Sequence, residues 1–245
     1  ACVLCLHLAA GAQAPASETS APAAAPPAAL ATPAQTPPTV SPTPAPLTHP
    51  GLVAQETLNA ADTGWMMTST ALVLLMTLPG IALFYGGMVR RINVLNTMAS
   101  VVAVAALVSL LWFAVGYSIA FTPGNAWLGD DSRMGFAGLQ YLKAAGKVAV
   151  SHIAPNVPES VYAMFQLTFA IITAALIVGA VVERMRFSAL LWFTGLWSVL
   201  VYAPVAHWVW EPGGWLAQRG VLDFAGGAVV HINAGISGLV CAYVL

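Results

Sequence analysis

Five stretches of this chain are apolar and free of Asp, Glu, Lys and Arg, and they constrain its fold more than any other feature. Each reaches the length of about 20 residues that a helix needs to cross a bilayer. Because the apolar runs are continuous rather than alternating, they indicate helices and not barrel strands. Only 7% of the 245 residues are charged, whereas soluble domains carry about 25%. We therefore predict an all-α integral membrane protein with transmembrane helices over residues 65–89, 94–121, 160–182, 187–210 and 224–245.

The chain before the first span has two distinct compositions. Residues 1–14 read ACVLCLHLAAGAQA, which is typical of the apolar core and small-residue cleavage site of a secretory signal peptide. An unprocessed apolar tail is the alternative. Residues 15–58 are rich in Ala, Pro and Thr and cannot bury enough apolar surface to fold. We therefore predict a partial signal peptide, a disordered linker and a membrane domain over residues 59–245.

The direction of the spans follows from the signal peptide, because the positive charges do not decide it. Short basic turns after the first and third spans indicate a cytoplasmic side, but four further basic residues lie on the other side. A cleaved signal places the mature N-terminus in the periplasm and the protein in the inner membrane. Since the number of spans is odd, a second copy of the unit would enter the bilayer inverted. We expect this chain to be the first half of a longer protein.

One ionisable side chain, His231, lies in the middle of the fifth span. Such a group is costly in a membrane, and it usually lines a pathway or a site instead of facing lipid. Small residues on the same helical face would let another helix approach closely. We therefore expect His231 to point into a tight protein interior, either as a functional group or as a histidine that only bonds a neighbouring carbonyl. The small residues are Gly227, Ala228, Ala234, Gly235 and Gly238.

Aromatic residues provide further candidates, each with a structural alternative. Trp210, at the end of the fourth span, could attract a cation at a channel mouth, although tryptophan is also enriched at membrane interfaces as an anchor. Phe165 and Phe169 are one turn apart on the third span and could form a hydrophobic constriction of a pore or only pack. For the nearby His207 we expect an interfacial position and a structural hydrogen bond.

Charged residues beside the spans have local interpretations. Asp223 immediately precedes the fifth span, so we expect it to cap the free backbone N–H groups there. Its alternative role is to help fix a carbonyl-lined cation site. Glu183, Arg184 and Arg186 form a turn after the third span. We expect these three residues to pair with one another, with the binding of a regulator as the alternative.

The sequence lacks the motifs of metalloproteases, serine hydrolases and nucleotide-binding enzymes. We therefore expect neither an enzyme nor a cofactor. A haem or metal bound by His207 and His231 is a weaker alternative, because few other ligand types lie near them. The net charge of −1 gives no indication of a nucleic-acid partner.

Four long motifs occur along the chain in the order ALFYGGMVRRINVL, ERMRFSALL, PVAHWVWEPGGWLA and DFAGGAVVHINAG. They resemble those of the bacterial ammonium transporters of the Amt type, within the Amt/Mep/Rh family, and the resemblance covers about residues 60–245. It implies the first five helices of a five-plus-five inverted-repeat fold and a homotrimer with one pore in each subunit. It also implies ammonium or ammonia as substrate, methylammonium as an analogue, and a PII-type signal protein as a partner on the cytoplasmic face.

The same resemblance implies roles for five residues. Trp210 corresponds to the aromatic residue of an outer ammonium site that Phe165 flanks, and Phe169 corresponds to the outer ring of a paired phenylalanine gate. Asp223 corresponds to an essential, mainly structural acid, and His231 to the first of two histidines in the pore. The expected function is transport in which ammonium is recruited at the aromatic site and deprotonated, and ammonia crosses a hydrophobic pore. An ammonium sensor that signals to a cytoplasmic partner is the alternative.

Overall fold

The computed structural model describes residues 47–245 and contains five helices long and apolar enough to span a membrane. The prediction of five transmembrane helices is therefore confirmed, with bounds that differ by a few residues. The predicted signal peptide and most of the predicted linker lie outside the described residues. The helices are α1 (Ala60–Met88), α2 (Arg91–Phe121), α3 (Glu159–Val181), α4 (Phe187–Trp210) and α5 (Gly227–Val244).

Four of these five helices contain one wider turn with π-type hydrogen bonding. In α1 the wide turn includes Pro79, which has no N–H to donate and interrupts the regular ladder. Such turns are frequent at functional sites, and the one in α5 carries His231. The wide turns span Met76–Ile81, Trp112–Gly116, Ser198–Tyr202 and Gly227–Ile232.

Helix α3 packs against α1, α2 and α5 and forms the centre of the bundle. Tyr85 of α1 donates its hydroxyl to the carbonyl oxygen of Leu176 at 2.8 Å. Trp112 of α2 donates its indole N–H to the carbonyl oxygen of Ala163 at 3.1 Å. Because polar groups in a membrane must find partners inside the protein, these bonds fix how α1 and α2 are rotated against α3.

A short antiparallel sheet lies against the start of α3. Its strands are β1 (Gly51–Ala54), β2 (Tyr141–Leu142) and β3 (Lys147–Val150), in the order β1-β3-β2. The prediction of a disordered linker over residues 15–58 is therefore wrong for Gly51–Ala54, which form a paired strand. Composition could not show this, because β1 is ordered by pairing with a strand far along the chain. We call this end of the bundle the sheet end.

A buried ion pair joins Arg133 and Glu159 at the sheet end. Arg133 donates through Nε to Oε1 at 2.8 Å and through Nη2 to Oε2 at 3.0 Å, and the hydroxyl of Tyr117 donates to Oε1 at 3.1 Å. The Glu159 side chain is fully buried, and that of Arg133 is 14% exposed. This bidentate, charge-assisted geometry is the strong form of contact between an arginine and a carboxylate. It ties the connection between α2 and α3 to both helices.

The opposite end of the bundle is held by contacts that differ from the predicted ones. Oε1 of Glu183 accepts from Asn93 Nδ2 at 2.7 Å and from Arg90 Nε at 3.2 Å. The hydrogen bond from Asn93, followed by those from Arg90, holds the pKa of the Glu183 carboxyl below its usual range. Arg184 donates to the carbonyl oxygen of Ala242 at 3.1 Å. The predicted pairing inside the turn after α3 is wrong, because the packing brings the turn between α1 and α2 beside it.

Candidate functional site

An aromatic cluster lies at the sheet end, where α2, α3 and α4 meet. The ring of Trp210, the last residue of α4, stacks on Phe121 with 6.2 Å between centroids and 13° between planes. Phe169 meets Trp210 edge-on at 6.1 Å, and Phe165 meets Phe169 edge-on at 4.9 Å. Phe165, Phe169 and Trp210 are all partly exposed. The three aromatic candidates named from the sequence therefore form one continuous cluster.

Asp223 connects this cluster to α5. Its backbone carbonyl accepts the indole N–H of Trp210 at 2.9 Å. Its carboxylate accepts the backbone N–H groups of Gly227 at 2.7 Å, Ala228 at 3.0 Å and Val229 at 2.9 Å. The predicted helix cap is confirmed, with the negative charge at the positive end of the helix dipole. Because both carboxylate oxygens are engaged, Asp223 positions Trp210 and α5 instead of presenting a free charge.

His231 lies one turn into α5 and is not enclosed as expected. Its side chain is exposed and lines an open groove of about 520 Å³ together with Tyr85 and Ala180. The stripe of small residues is divided, since Gly238 is buried close to Ala180 whereas Gly235 is exposed beside the groove. The prediction of a tight interior is wrong within residues 47–245, because α1 and α3 leave an open groove beside His231 there.

The sequence from residue 64 to residue 245 matches the family model described as the Ammonium Transporter Family. The chain belongs to the ammonium transporter family. It is 51% identical over 187 residues to a putative ammonium transporter of Methanothermobacter thermautotrophicus and 48% identical over 188 residues to an ammonium transporter of Bacillus subtilis. The alignments cover 76% and 77% of this chain, but 44% of each relative. The chain therefore spans less than half the length of these curated relatives.

Solved structures of this ammonium transporter family show the same arrangement of helices. The crystal structure of Candida albicans Mep2 is similar with a TM-score of 0.67 and 33% identity, over 76% of this chain and 40% of that one. Saccharomyces cerevisiae Mep2 is similar with a TM-score of 0.65 and 34% identity, over 77% of this chain and 40% of that one. The resemblance carried by the four motifs is therefore confirmed for the family and for the five-helix fold.

His207 makes a structural contact, as expected, and its side chain is fully buried. Its Nδ1 lies 3.2 Å from the carbonyl oxygen of Ala120, and its Nε2 lies 2.8 Å from that of Asn125. Ala120 precedes Phe121, which stacks on Trp210. His207 therefore holds the end of α2 beside the aromatic cluster.

The other tryptophans near His207 form a separate cluster. The rings of Trp127 and Trp215 stack with 5.1 Å between centroids, and Trp208 meets both edge-on. The guanidinium of Arg219 lies 4.7 Å from the centroid of the Trp215 ring. Trp127 is 52% exposed. Such a partly exposed tryptophan cluster is typical of an interfacial anchor, whereas Trp210 packs with phenylalanines.

Within the described part of the chain, no group of three or more His, Cys, Asp or Glu side chains is placed to hold a metal. Both ring nitrogens of His207 face backbone carbonyls, so that residue offers no free ligand atom. The haem or metal alternative therefore gains no support from residues 47–245.

Sequence reasoning missed Phe121 and the pair of His152 with Glu211. Phe121 reads as one more apolar residue at the end of a span, and only packing brings its ring onto Trp210. Glu211 Oε1 lies 2.8 Å from His152 Nε2, and both side chains are 4% exposed. The sequence feature that could have indicated this pair is the carboxylate of Glu211, which directly follows Trp210 in the chain.

Proposed function

We propose that the whole protein transports ammonium across the cell inner membrane, with recruitment as the cation and passage as neutral ammonia. The observation that supports this most directly is the arrangement of Trp210, Phe169 and His231. The indole N–H of Trp210 donates to the backbone carbonyl of Asp223, which caps α5. The ring of Phe169 meets the same indole edge-on. His231 lies about 6 Å along α5 from the first residue of that helix. In this proposal an aromatic mouth, a phenylalanine and an imidazole follow one another along one path.

The physical problem of this function is to admit ammonium and refuse potassium, which has a similar size and the same charge. Moving an unpaired charge through an apolar pore costs several kcal/mol. Ammonium can lose a proton and avoid this cost, whereas potassium cannot. A filter built on proton loss therefore separates the two ions where a ring of charges would not.

Each candidate residue has a distinct part in this mechanism. Trp210 attracts the hydrated cation through its ring, with Phe165 beside it. Ammonium gives its proton to water at the mouth, so that neutral ammonia passes Phe169 and enters the dry section. His231 exchanges hydrogen bonds with the neutral molecule there, and it can return a proton to ammonia and take one up again from water. Asp223 keeps Trp210 and the start of α5 in place.

The proposal also includes the orientation of the protein in the membrane and its oligomeric state. The sheet end faces the periplasm together with the N-terminus, and the end with Arg90 and Glu183 faces the cytoplasm, where a PII-type protein binds. The protein is a homotrimer with one pore in each subunit. The open groove beside His231 is consistent with further helices completing that pore, because an ionisable group in the membrane is stable only inside protein or a water-filled cavity.

Replacing Trp210 with Leu tests the recruitment step. A cation–π contact worth about 1–2 kcal/mol corresponds to a change of about five- to thirtyfold in apparent affinity. Methylammonium uptake by the full-length protein in proteoliposomes should therefore show a raised KM. Trp208→Leu is the matched control, because Trp208 belongs to the separate tryptophan cluster. Equal kinetics for both variants would reduce Trp210 to an interfacial anchor.

Replacing His231 with Glu tests the pore. A carboxylate there can stabilise a cation that keeps its charge, so discrimination against potassium should weaken in ion-flux measurements. His49→Glu is the control, because His49 is exposed outside the spans. Unchanged discrimination between ammonium and potassium in His231→Glu would show that His231 does not line the pathway. A wild-type protein that signals the presence of ammonium without transporting it would favour the alternative function of an ammonium sensor.

A further inference from the structure

A long apolar groove, which we call the α2–α4 groove, lies between those two helices and away from the aromatic cluster. It has a volume of about 580 Å³, within the range of about 300–1,000 Å³ that is typical of ligand pockets. On α4 it extends from Ser188 to Leu200, and on α2 from Leu107 to Val115. Nine of its ten lining residues are apolar, and Ser188 is the exception.

The helix contacts place the α2–α4 groove opposite the opening beside His231. Helix α3 is central, and α2 contacts both α1 and α4. Trp197 of α4 donates its indole N–H to Ser237 Oγ of α5 at 3.0 Å. The outer helices therefore follow the order α1, α2, α4 and α5, and the opening beside His231 lies between α5 and α1. Helices that enclose His231 would cover that opening and leave the α2–α4 groove facing outward.

The dimensions of the α2–α4 groove fit a lipid acyl chain better than a helix. Ser188 and Leu200 are 12 residues apart, so the groove is about 18 Å long, close to half of a hydrocarbon core of about 30 Å. Its mean cross-section is then about 30 Å², whereas a helix with its side chains occupies about 80 Å² or more. A thin apolar chain fills this space, and an unfilled groove would lose the dispersion contacts of its lining.

Polar groups lie at only one end of the α2–α4 groove. Ser188 is the second residue of α4, and Arg186 directly precedes that helix. Both residues are exposed, and Arg186 enters none of the ion pairs among residues 47–245. Trp192, one turn after Ser188, also lines the groove and is 74% exposed. This end therefore offers a positive charge, a hydroxyl and an indole N–H at the level where lipid headgroups lie.

We propose that the α2–α4 groove binds one phospholipid with an anionic headgroup, from the leaflet at the end of the bundle opposite the sheet end. Arg186 pairs with the headgroup phosphate, and Ser188 and Trp192 donate to the ester oxygens. One acyl chain lies along the groove as far as Leu200. The headgroup provides the specificity, because apolar protein surface gains little by exchanging one lipid tail for another.

A lipid held in this groove stabilises the packing of α2 against α4. The same two helices carry Phe121 and Trp210 at their ends, where the two rings stack. Because the lipid binds the folded protein, it raises the thermal midpoint of unfolding by mass action. This inference goes beyond the proposed function, since lipid binding requires neither a pore nor a transported substrate.

Native mass spectrometry of the delipidated full-length protein tests the proposal. Titration with phosphatidylglycerol and with phosphatidylcholine of the same acyl chains compares an anionic headgroup with a zwitterionic one. We expect one phosphatidylglycerol molecule per chain to bind with a Kd about fivefold lower than that of phosphatidylcholine, which is the contribution of one basic residue at a membrane surface.

Two variants with matched controls separate the headgroup from the chain. Arg186→Gln should abolish the preference for phosphatidylglycerol. Arg91→Gln should keep it, because Arg91 is exposed at the same end but precedes the α2 part of the groove by 16 residues. Leu196→Trp fills the groove and should weaken the binding of both lipids by about tenfold or more. Leu110→Trp should not, because Leu110 is also exposed but does not line the groove.

Three results would overturn the proposal. They are equal Kd values for the two lipids in the wild type, an unchanged preference in Arg186→Gln, and unchanged binding in Leu196→Trp. Absence of bound phosphatidylglycerol in the wild type, as expected if another protein segment covers the groove, also overturns it. A thermal midpoint that phosphatidylglycerol raises more in the wild type and Arg91→Gln than in Arg186→Gln supports it.

Discussion

Replacing Asp223 with Ala should destabilise the protein by about 1.5–3 kcal/mol. The variant removes the acceptor for three backbone N–H groups, those of Gly227, Ala228 and Val229. Loss of a helix cap costs about 1–2 kcal/mol. Loss of the negative charge at the positive end of the helix dipole adds about 0.5–1 kcal/mol. The two costs are added because one concerns hydrogen bonds and the other concerns charge.

The assay is reversible unfolding of the full-length protein in a fixed lipid–detergent mixture, with the free energy compared between variants. Asp62→Ala is the matched control. Asp62 is exposed in the first turn of α1, whose cap is the side chain of Asn59. Its removal deletes a charge near a helix start but leaves the cap intact, so the expected cost is about 0.3–1 kcal/mol.

An intermediate variant separates the two contributions. Asp223→Asn removes the charge and keeps one acceptor oxygen, so its stability should fall between those of the wild type and Asp223→Ala. If Asp223→Ala loses no more stability than Asp62→Ala, the cap does not stabilise α5. The position of Trp210 would then have to be explained without Asp223.

Two further predictions concern the ends of the bundle. Glu159→Gln should cost about 3 kcal/mol in the same assay, because it leaves the charge of Arg133 buried and unpaired. The double variant with Arg133→Met should recover part of that loss, and additive losses would contradict a coupled pair. Glu183 has a lowered pKa in the folded protein, so its stabilising contribution is present above its ordinary pKa and is lost as the pH falls through the lowered one. The difference in thermal midpoint between the wild type and Glu183→Gln should therefore vanish at acid pH, and a difference that persists there would refute the linkage.

The sequence alone determined the features that depend on neighbouring residues. A span is recognised by a continuous apolar run of sufficient length, so all five helices could be predicted. The cap made by Asp223 is likewise local, because the carboxylate bonds N–H groups four to six residues ahead. The four family motifs are also stretches of contiguous chain, so they indicated the family before any fold was known.

Only the tertiary structure decided which distant residues meet. The sequence could not show that Phe121 stacks on Trp210 or that Glu211 faces His152. The exposure of His231 depends on which helices flank α5, and the helical period identifies a face without naming its neighbour. Contacts between remote segments depend on how whole helices rotate and pack against one another. The residues near each position do not determine that arrangement, so it could not be predicted from them.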